Sequence, residues 1–150
     1  MIQIRIAEKD DIEVIVNFQL EMALETENLV LDKDLVTKGV NSVFEDKTKG
    51  IYYVAEKNGD VVASLLTTYE WSDWRSKTIL WVQSVYVMPE FRKNGIFGLM
   101  YSFIKNIVNE SEEYCGIKLY VDKTNKKAQK VYESVGMNGE HYQLFEWMKN

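Results

Sequence analysis

Little in this sequence favours covalent cross-links or metal chemistry. Its 150 residues include one cysteine, one histidine and one proline. A lone Cys115 excludes an internal disulfide and any cysteine-based metal cluster. A small hydrophobe at a strand entrance is the reading that suits it. His141 stands without HxxxH or HExxH context, so no metal site is expected. Basic charge is also scarce. With 18 Lys and Arg against 23 Asp and Glu, the formal net charge is −5. A nucleic-acid partner would want a basic face, so none is expected. A neutral or cationic small molecule suits the balance better. No apolar run approaches the about 18 residues of a membrane span. Met1 to Ile6 alternates apolar with polar residues and lacks a signal-peptide core. No membrane partner and a cytoplasmic location are therefore expected.

Hydrophobic residues make up 46% and charged residues 27% of the chain, enough to build a core and too balanced for disorder. Without repeats or linker-like stretches, residues 1–150 read as a single domain.

Ile2, Ile4 and Ile6 alternate with Gln3 and Arg5, which predicts a first strand. Asp10 and Glu13 have capping-box spacing before a helix with Ile12, Ile15, Val16, Met22 and Ala23 on one side. A second helix is predicted over 34–46. Ile51 to Glu56 and Val61 to Tyr69 flank Asn58-Gly59, a hairpin signal. Turn residues Ser72-Asp73 and Arg75-Ser76 precede a return strand over 79–88. Ile117, Leu119 and Val121 alternate in a strand reached through a helical crossover, so it should lie parallel to its neighbour. A short helix is predicted over 125–135, with Ala128, Val131, Tyr132 and Val135 on one face and Gly136 ending it. Tyr142 to Met148 reads as a last strand.

The chain is organised around the stretch from Trp81 to Phe103. Trp81 to Met88 carries no formal charge, as expected of a strand buried on both faces. Pro89 stops it. Arg92-Lys93-Asn94-Gly95 form a turn. Ile96, Met100, Phe103, Ile104, Ile107 and Val108 then recur at helical spacing. A helix opening directly after a glycine turn presents main-chain N–H groups and the positive end of its dipole, an arrangement suited to phosphate.

Arg92-Lys93-Asn94-Gly95-Ile96-Phe97 resembles the R/Q-x-x-G-x-G/A signature of the GNAT superfamily of acyl-CoA-dependent N-acyltransferases, with Phe97 where Gly or Ala is usual. Val85 to Phe91 resembles its lead-in strand. Asn125 to Met137 is similar to the family's N-x-x-A-x-x-x-Y-x-x-x-G-F segment, with Met137 in the aromatic position. The predicted order β-α-α-β-β-β-α-β-α-β is also the family's, so the resemblance covers essentially the whole chain. It implies an α/β (α+β) fold: a mixed, mostly antiparallel sheet of about six to seven strands, about four helices, and a splayed parallel pair.

The resemblance implies acetyl-CoA as cofactor and an N-acetyltransferase as activity, moving acetyl to a primary amine of a small molecule by direct attack in a ternary complex. The diphosphate falls to the turn amides of Lys93, Asn94, Gly95, Ile96, Phe97 and Gly98, with Arg92 ordering the turn or touching phosphate. The main chain at Val85, Tyr86 and Val87 would pair with the pantetheine arm, and Asn125 would contact it or the phosphates. Tyr132 would hydrogen-bond to the leaving thiolate. Many family members carry a carboxylate base at about the position of Gln83, which cannot accept a proton at neutral pH. The base is then sought among carboxylates of the acceptor side: Glu70 first, with Asp73, Glu21 and Glu25. Trp74 and Gln83 complete the expected acceptor site, which suits a cation through charge and cation–π contact. Two other readings stay open: a non-catalytic acyl-CoA-binding sensor, and an acetyltransferase acting on a protein N-terminus or lysine. A homodimer is a further possibility the resemblance raises.

Overall fold

The computed structural model describes residues 1–150, which divide into two compact units, Met1–Lys118 and Leu119–Asn150. The first contains β1 (Ile2–Ile6), α1 (Ile12–Glu27), α2 (Lys33–Glu45), β2 (Ile51–Lys57), β3 (Asp60–Ser72), β4 (Lys77–Val87), α3 (Ile96–Glu110) and β5 (Tyr114–Lys118). Its five strands form one sheet in the order β1-β2-β3-β4-β5. All neighbours are antiparallel except β4 and β5, which run parallel. The second unit holds α4 (Lys126–Ser134).

Helices cover both faces of this sheet. Successive strand residues point to opposite sides, and β2 shows which helix lies on which. Tyr52 stacks on Phe44 of α2 at 5.8 Å between ring centroids, while Tyr53 meets Phe103 of α3 edge-on at 5.9 Å. Ile15 and Val16 of α1 and Val40 of α2 share one core with Tyr52 and Val54. Ile96, Met100 and Ile104 are the buried stripe of α3. Their spacing of four is the one the sequence pattern predicts.

Several boundaries differ from expectation. Asp10 is exposed and does not start α1. A 3₁₀ turn over Lys9–Asp11 intervenes, and Asp11 Oδ2 accepts the Glu8 N–H at 2.7 Å. The predicted strand around Ile117 ends at Lys118 and instead begins at Tyr114, so Leu119 and Val121 lie outside it. No strand forms over 142–148, which leaves five strands instead of six or seven. Burial on both faces belongs to β2 and β3; in β4, residues 83 to 85 are only half-buried. The reason is geometric. β5 pairs with β4 only from Thr78 to Trp81, so the rest of β4 has a strand on one side alone.

Arg5 bridges two acidic groups at the foot of the sheet. Its guanidinium donates to Asp11 at 2.7 and 3.1 Å and to Glu56 at 2.7 Å. Asp11 is buried, and the hydrogen bond from Arg5 holds its carboxyl below the ordinary value. A depressed folded-state pKa means this stabilisation is complete above the unfolded value of about 3.9 and is lost as pH falls through the folded value. Arg5→Met should cost about 2–3 kcal/mol at neutral pH, because it strands a buried carboxylate. Urea titrations at pH 7 and pH 3 check this: the difference between variant and parent should shrink in acid.

Candidate functional site

Three features of the first unit converge where β4 ends. The earliest along the chain is a bulge. Ser64 pairs with Tyr86 while Leu66 pairs with Gln83, so Ser84 and Val85 together oppose Leu65. Ser84 takes a left-handed conformation, φ 54°. A bulge bends and twists its strand, and this one lies just beyond Trp81, the last β4 residue paired with β5. The parallel pair thus opens, and the main chain of Val82 to Val87 runs on with no strand on its β5 side. Ser84 was not singled out from the sequence. One small polar residue inside a bulky run was the only signal it gave.

Next comes the turn. The Met88 N–H donates to Val62 O at 2.9 Å, anchoring the strand end. Pro89–Phe91 form a 3₁₀ turn. Lys93 and Gly95 are both left-handed, at φ 65° and 73°. Asn94 Nδ2 donates to the carbonyls of Phe91 and Arg92 at 3.1 and 3.2 Å. Gly95 is the N-cap of α3 and no side chain caps that end. The first turn of a helix has N–H groups with no acceptor inside the helix, and here Ile96 and Gly98 supply them. A Cβ at Gly95 would meet nothing within 4 Å, so the space before the helix is open. The Phe97 ring packs toward Tyr101 one turn on, 6.1 Å between centroids.

Arg92 is the third feature. Its Nε donates to Val87 O at 2.8 Å, and Nη2 reaches both Glu25 oxygens at 2.8 and 3.1 Å. The guanidinium lies over the Tyr86 ring at 5.3 Å, and Tyr86 in turn contacts Phe18 of α1 at 5.0 Å. Arg92 therefore ties α1, the end of β4 and the turn together. The sequence-level expectation for Glu25 was an acceptor contact; its carboxylate here holds Arg92. Burial pushes the Tyr86 phenol upward, with Glu25 and Glu21 adding to the rise. Glu25 thus reaches the strand end through Arg92, and Glu21 lies one helical turn before it on α1.

Other expected site residues lie elsewhere in this unit. Glu70 pairs with Ile79, at the far end of the β3–β4 ladder from Val87. Its carboxylate takes hydrogen bonds from Lys118 Nζ at 3.0 Å and Trp81 Nε1 at 2.9 Å. The Lys118 bond, then the Trp81 bond, lowers its pKa and makes it a weaker base. Asp73 and Trp74 are in the hairpin turn beyond it, where Trp74 is 93% exposed. Gln83 donates from Nε2 to Thr68 Oγ1 at 2.8 Å.

In the second unit, Asn125 is the N-cap of α4, its Oδ1 accepting the Ala128 N–H at 3.1 Å. Tyr132 lies on this helix, half-buried, and burial raises its phenol above the ordinary value. No group of His, Cys, Asp and Glu is arranged to hold a metal ion. No helix is long and apolar enough to cross a membrane.

A mixed sheet with an opened parallel pair, followed by a glycine turn and a helix with no side-chain N-cap, leaves main-chain groups of β4 and of the first turn of α3 without a strand or side-chain cap beside them. The chain belongs to the acetyltransferase (GNAT) family, whose model matches residues 18–137. A possible acetyltransferase from Clostridium difficile 630 shares 43% identity at TM-score 0.92, covering 100% of this chain and 99% of the other. A predicted acetyltransferase from Clostridium acetobutylicum, solved with acetyl-CoA, is similar at 19% identity and TM-score 0.73, over 97% and 96% of the two chains. An aminoglycoside acetyltransferase from an uncultured soil metagenomic sample, in complex with sisomicin, is similar at 14% identity and TM-score 0.77, over 99% and 96%. None of the curated proteins compared with the chain matches it in sequence.

Proposed function

We propose that residues 1–150 act as one acetyl-CoA-dependent N-acetyltransferase domain whose acceptor is a primary amine on a small, cationic molecule. The observation that carries this reading is the opened β4 edge leading straight into an uncapped helix N-terminus. Coenzyme A has a diphosphate joined to an arm containing two amides. The α3 amides suit the first, and the main chain of Val85 to Val87 suits the second, because peptide groups at an open edge gain from any partner. Lys93, Asn94 and Gly95 shape the turn that aims those amides. Asn125 would meet the same ligand through its Nδ2.

Acetyl-CoA supplies an acyl carbon activated as a thioester. The chain's own tasks are orientation and proton handling. The amine nitrogen forms a bond to the acyl carbon as the carbon–sulfur bond breaks, and one amine proton leaves. Glu21 supports that proton transfer better than Glu70. It lies one helical turn before Glu25, which reaches the strand end through Arg92, whereas Glu70 is ion-paired at the far end of the ladder. Tyr132 would donate a hydrogen bond to the departing sulfur. Glu21, whose neighbour Glu25 is already paired with Arg92, favours a cationic acceptor, and a structurally similar aminoglycoside acetyltransferase is in complex with sisomicin.

Calorimetry with coenzyme A and a thiol-release assay over a panel of amines test the reading together. Micromolar coenzyme A binding is expected, with turnover on small polyamine-like acceptors. Tight binding without turnover on any amine would make the domain a sensor. Turnover on peptides alone would move the acceptor to a protein N-terminus or lysine. Absence of binding would remove the reading.

A further inference from the structure

Proton transfer leaves Glu70 without a task, yet both of its oxygens are in use. Oε1 accepts from Trp81 Nε1 at 2.9 Å and Oε2 from Lys118 Nζ at 3.0 Å. Glu70 stands on β3, Trp81 on β4 and Lys118 on β5, so one carboxylate ties three strands. Thr68 pairs with Trp81 and Trp81 with Lys118. Residues two apart on a strand share a face, which puts Glu70 and Gln83 on the same side of the sheet as that row. Gln83 Nε2 donates to Thr68 Oγ1 at 2.8 Å, holding β4 to β3 one step further on.

The row tied by Glu70 is the one at which β4 and β5 part. Their ladder runs only from Thr78–Tyr114 to Trp81–Lys118 and is irregular between Thr78 and Ile79. β5 has five residues with Gly116 at its centre, and glycine weakens a strand interior. It stands last in the sheet order, so β4 is its one strand neighbour. A ladder this short opens readily from its end. The side chains of Glu70 and Lys118 are each 35% exposed, and an ion pair of that exposure holds little by itself. Here the carboxylate also takes the indole N–H, a charge-assisted bond to a second strand.

We propose that Glu70 is a positioning residue: by holding Trp81 and Lys118 together it fixes the row at which the parallel pair opens, and with it the main-chain edge that meets the coenzyme A arm. The second half of this rests on the acetyl-transfer reading, which assigns that arm to Val85 to Val87. Without the carboxylate the ladder would end nearer Ile79 and Gly116. Gln83 and Thr68 would still keep β4 on β3, so the edge would survive with its fork displaced.

Amide hydrogen exchange on the full chain, read by NMR, tests the tie without any ligand. In Glu70→Ala the amides of Gly116, Ile117 and Lys118 should exchange about tenfold faster, with those of β1 and β2 unchanged. Calorimetry should show coenzyme A affinity falling about fivefold to tenfold. Thiol release with acetyl-CoA and the best amine of the panel should show the KM for acetyl-CoA rising to match and kcat falling less than about threefold. Glu70→Gln keeps an oxygen for Trp81 and should recover most of the affinity, while Lys118→Met should reproduce part of the loss. Exchange in Glu70→Ala equal to the parent's overturns the proposal. So does a kcat that collapses at constant KM, or a Glu70→Gln chain that loses the acidic limb of its pH–rate profile, since either makes Glu70 the base. A parent chain that does not bind coenzyme A removes the acetyl-transfer reading and the cofactor half of the proposal with it; unchanged exchange removes the proposal alone.

Discussion

Tyr132→Phe is expected to lower kcat about 100-fold with acetyl-CoA affinity changed less than about twofold. The magnitude sits at the low end for a positioned proton donor, about 10²–10⁴-fold. A phenol near 10 cannot fully protonate a thiolate near 8.5, so the gain comes from a hydrogen bond that strengthens as charge develops on sulfur. Burial raises the Tyr132 phenol further. The sign matters: a raised pKa keeps the proton in place at every pH below about 10, so this group should add no falling limb to the rate profile below that value. The phenylalanine ring preserves the packing of α4, which separates a chemical role from a structural one. Steady-state rates beside calorimetry for coenzyme A check the split. An unchanged kcat would remove Tyr132 from the chemistry.

Gly95→Val should reduce coenzyme A affinity at least 10-fold and leave the fold in place. At φ 73° the residue is left-handed, where an L side chain costs about 1–2 kcal/mol and a β-branched one more. Nothing surrounds the absent Cβ, so crowding within the protein adds nothing. The strain is relieved by rotating the turn, which turns the Ile96 and Gly98 amides off a common target. The added methyls would also stand in the open space before α3. Calorimetry should record the loss of affinity. A melting temperature lowered by only a few degrees would show that the sheet and its helices persist. Affinity equal to the parent's would mean that the diphosphate is held elsewhere.

Glu25 and Glu70 show how differently two carboxylates read once they are placed. Both are acidic residues near apolar patterns, and the family resemblance implies an acceptor-side place for both. In the structure one clamps Arg92 beside the turn, while the other is bonded to Lys118 and Trp81 at the far end of the hairpin. Each pairing spans many residues, 67 from Glu25 to Arg92 and 48 from Glu70 to Lys118. No local pattern carries contacts of that range. Ser84 was missed for a related reason. A bulge is a mismatch between two strands, and neither strand alone records it.

Order and type of the elements were legible because they rest on local chemistry. Alternation in Ile2 to Ile6, the Asn58-Gly59 hairpin, Pro89 after a strand and the stripe Ile96, Met100, Ile104 each fix a conformation over a few residues. The glycine turn before α3 was legible on the same grounds, since a left-handed N-cap is a property of one residue. Tertiary structure alone decided where β4 parts from β5, which acidic group holds Arg92, and that 142–148 forms no strand. Those outcomes depend on which backbone groups and charges find partners across the sheet, and partners distant in sequence leave no local trace.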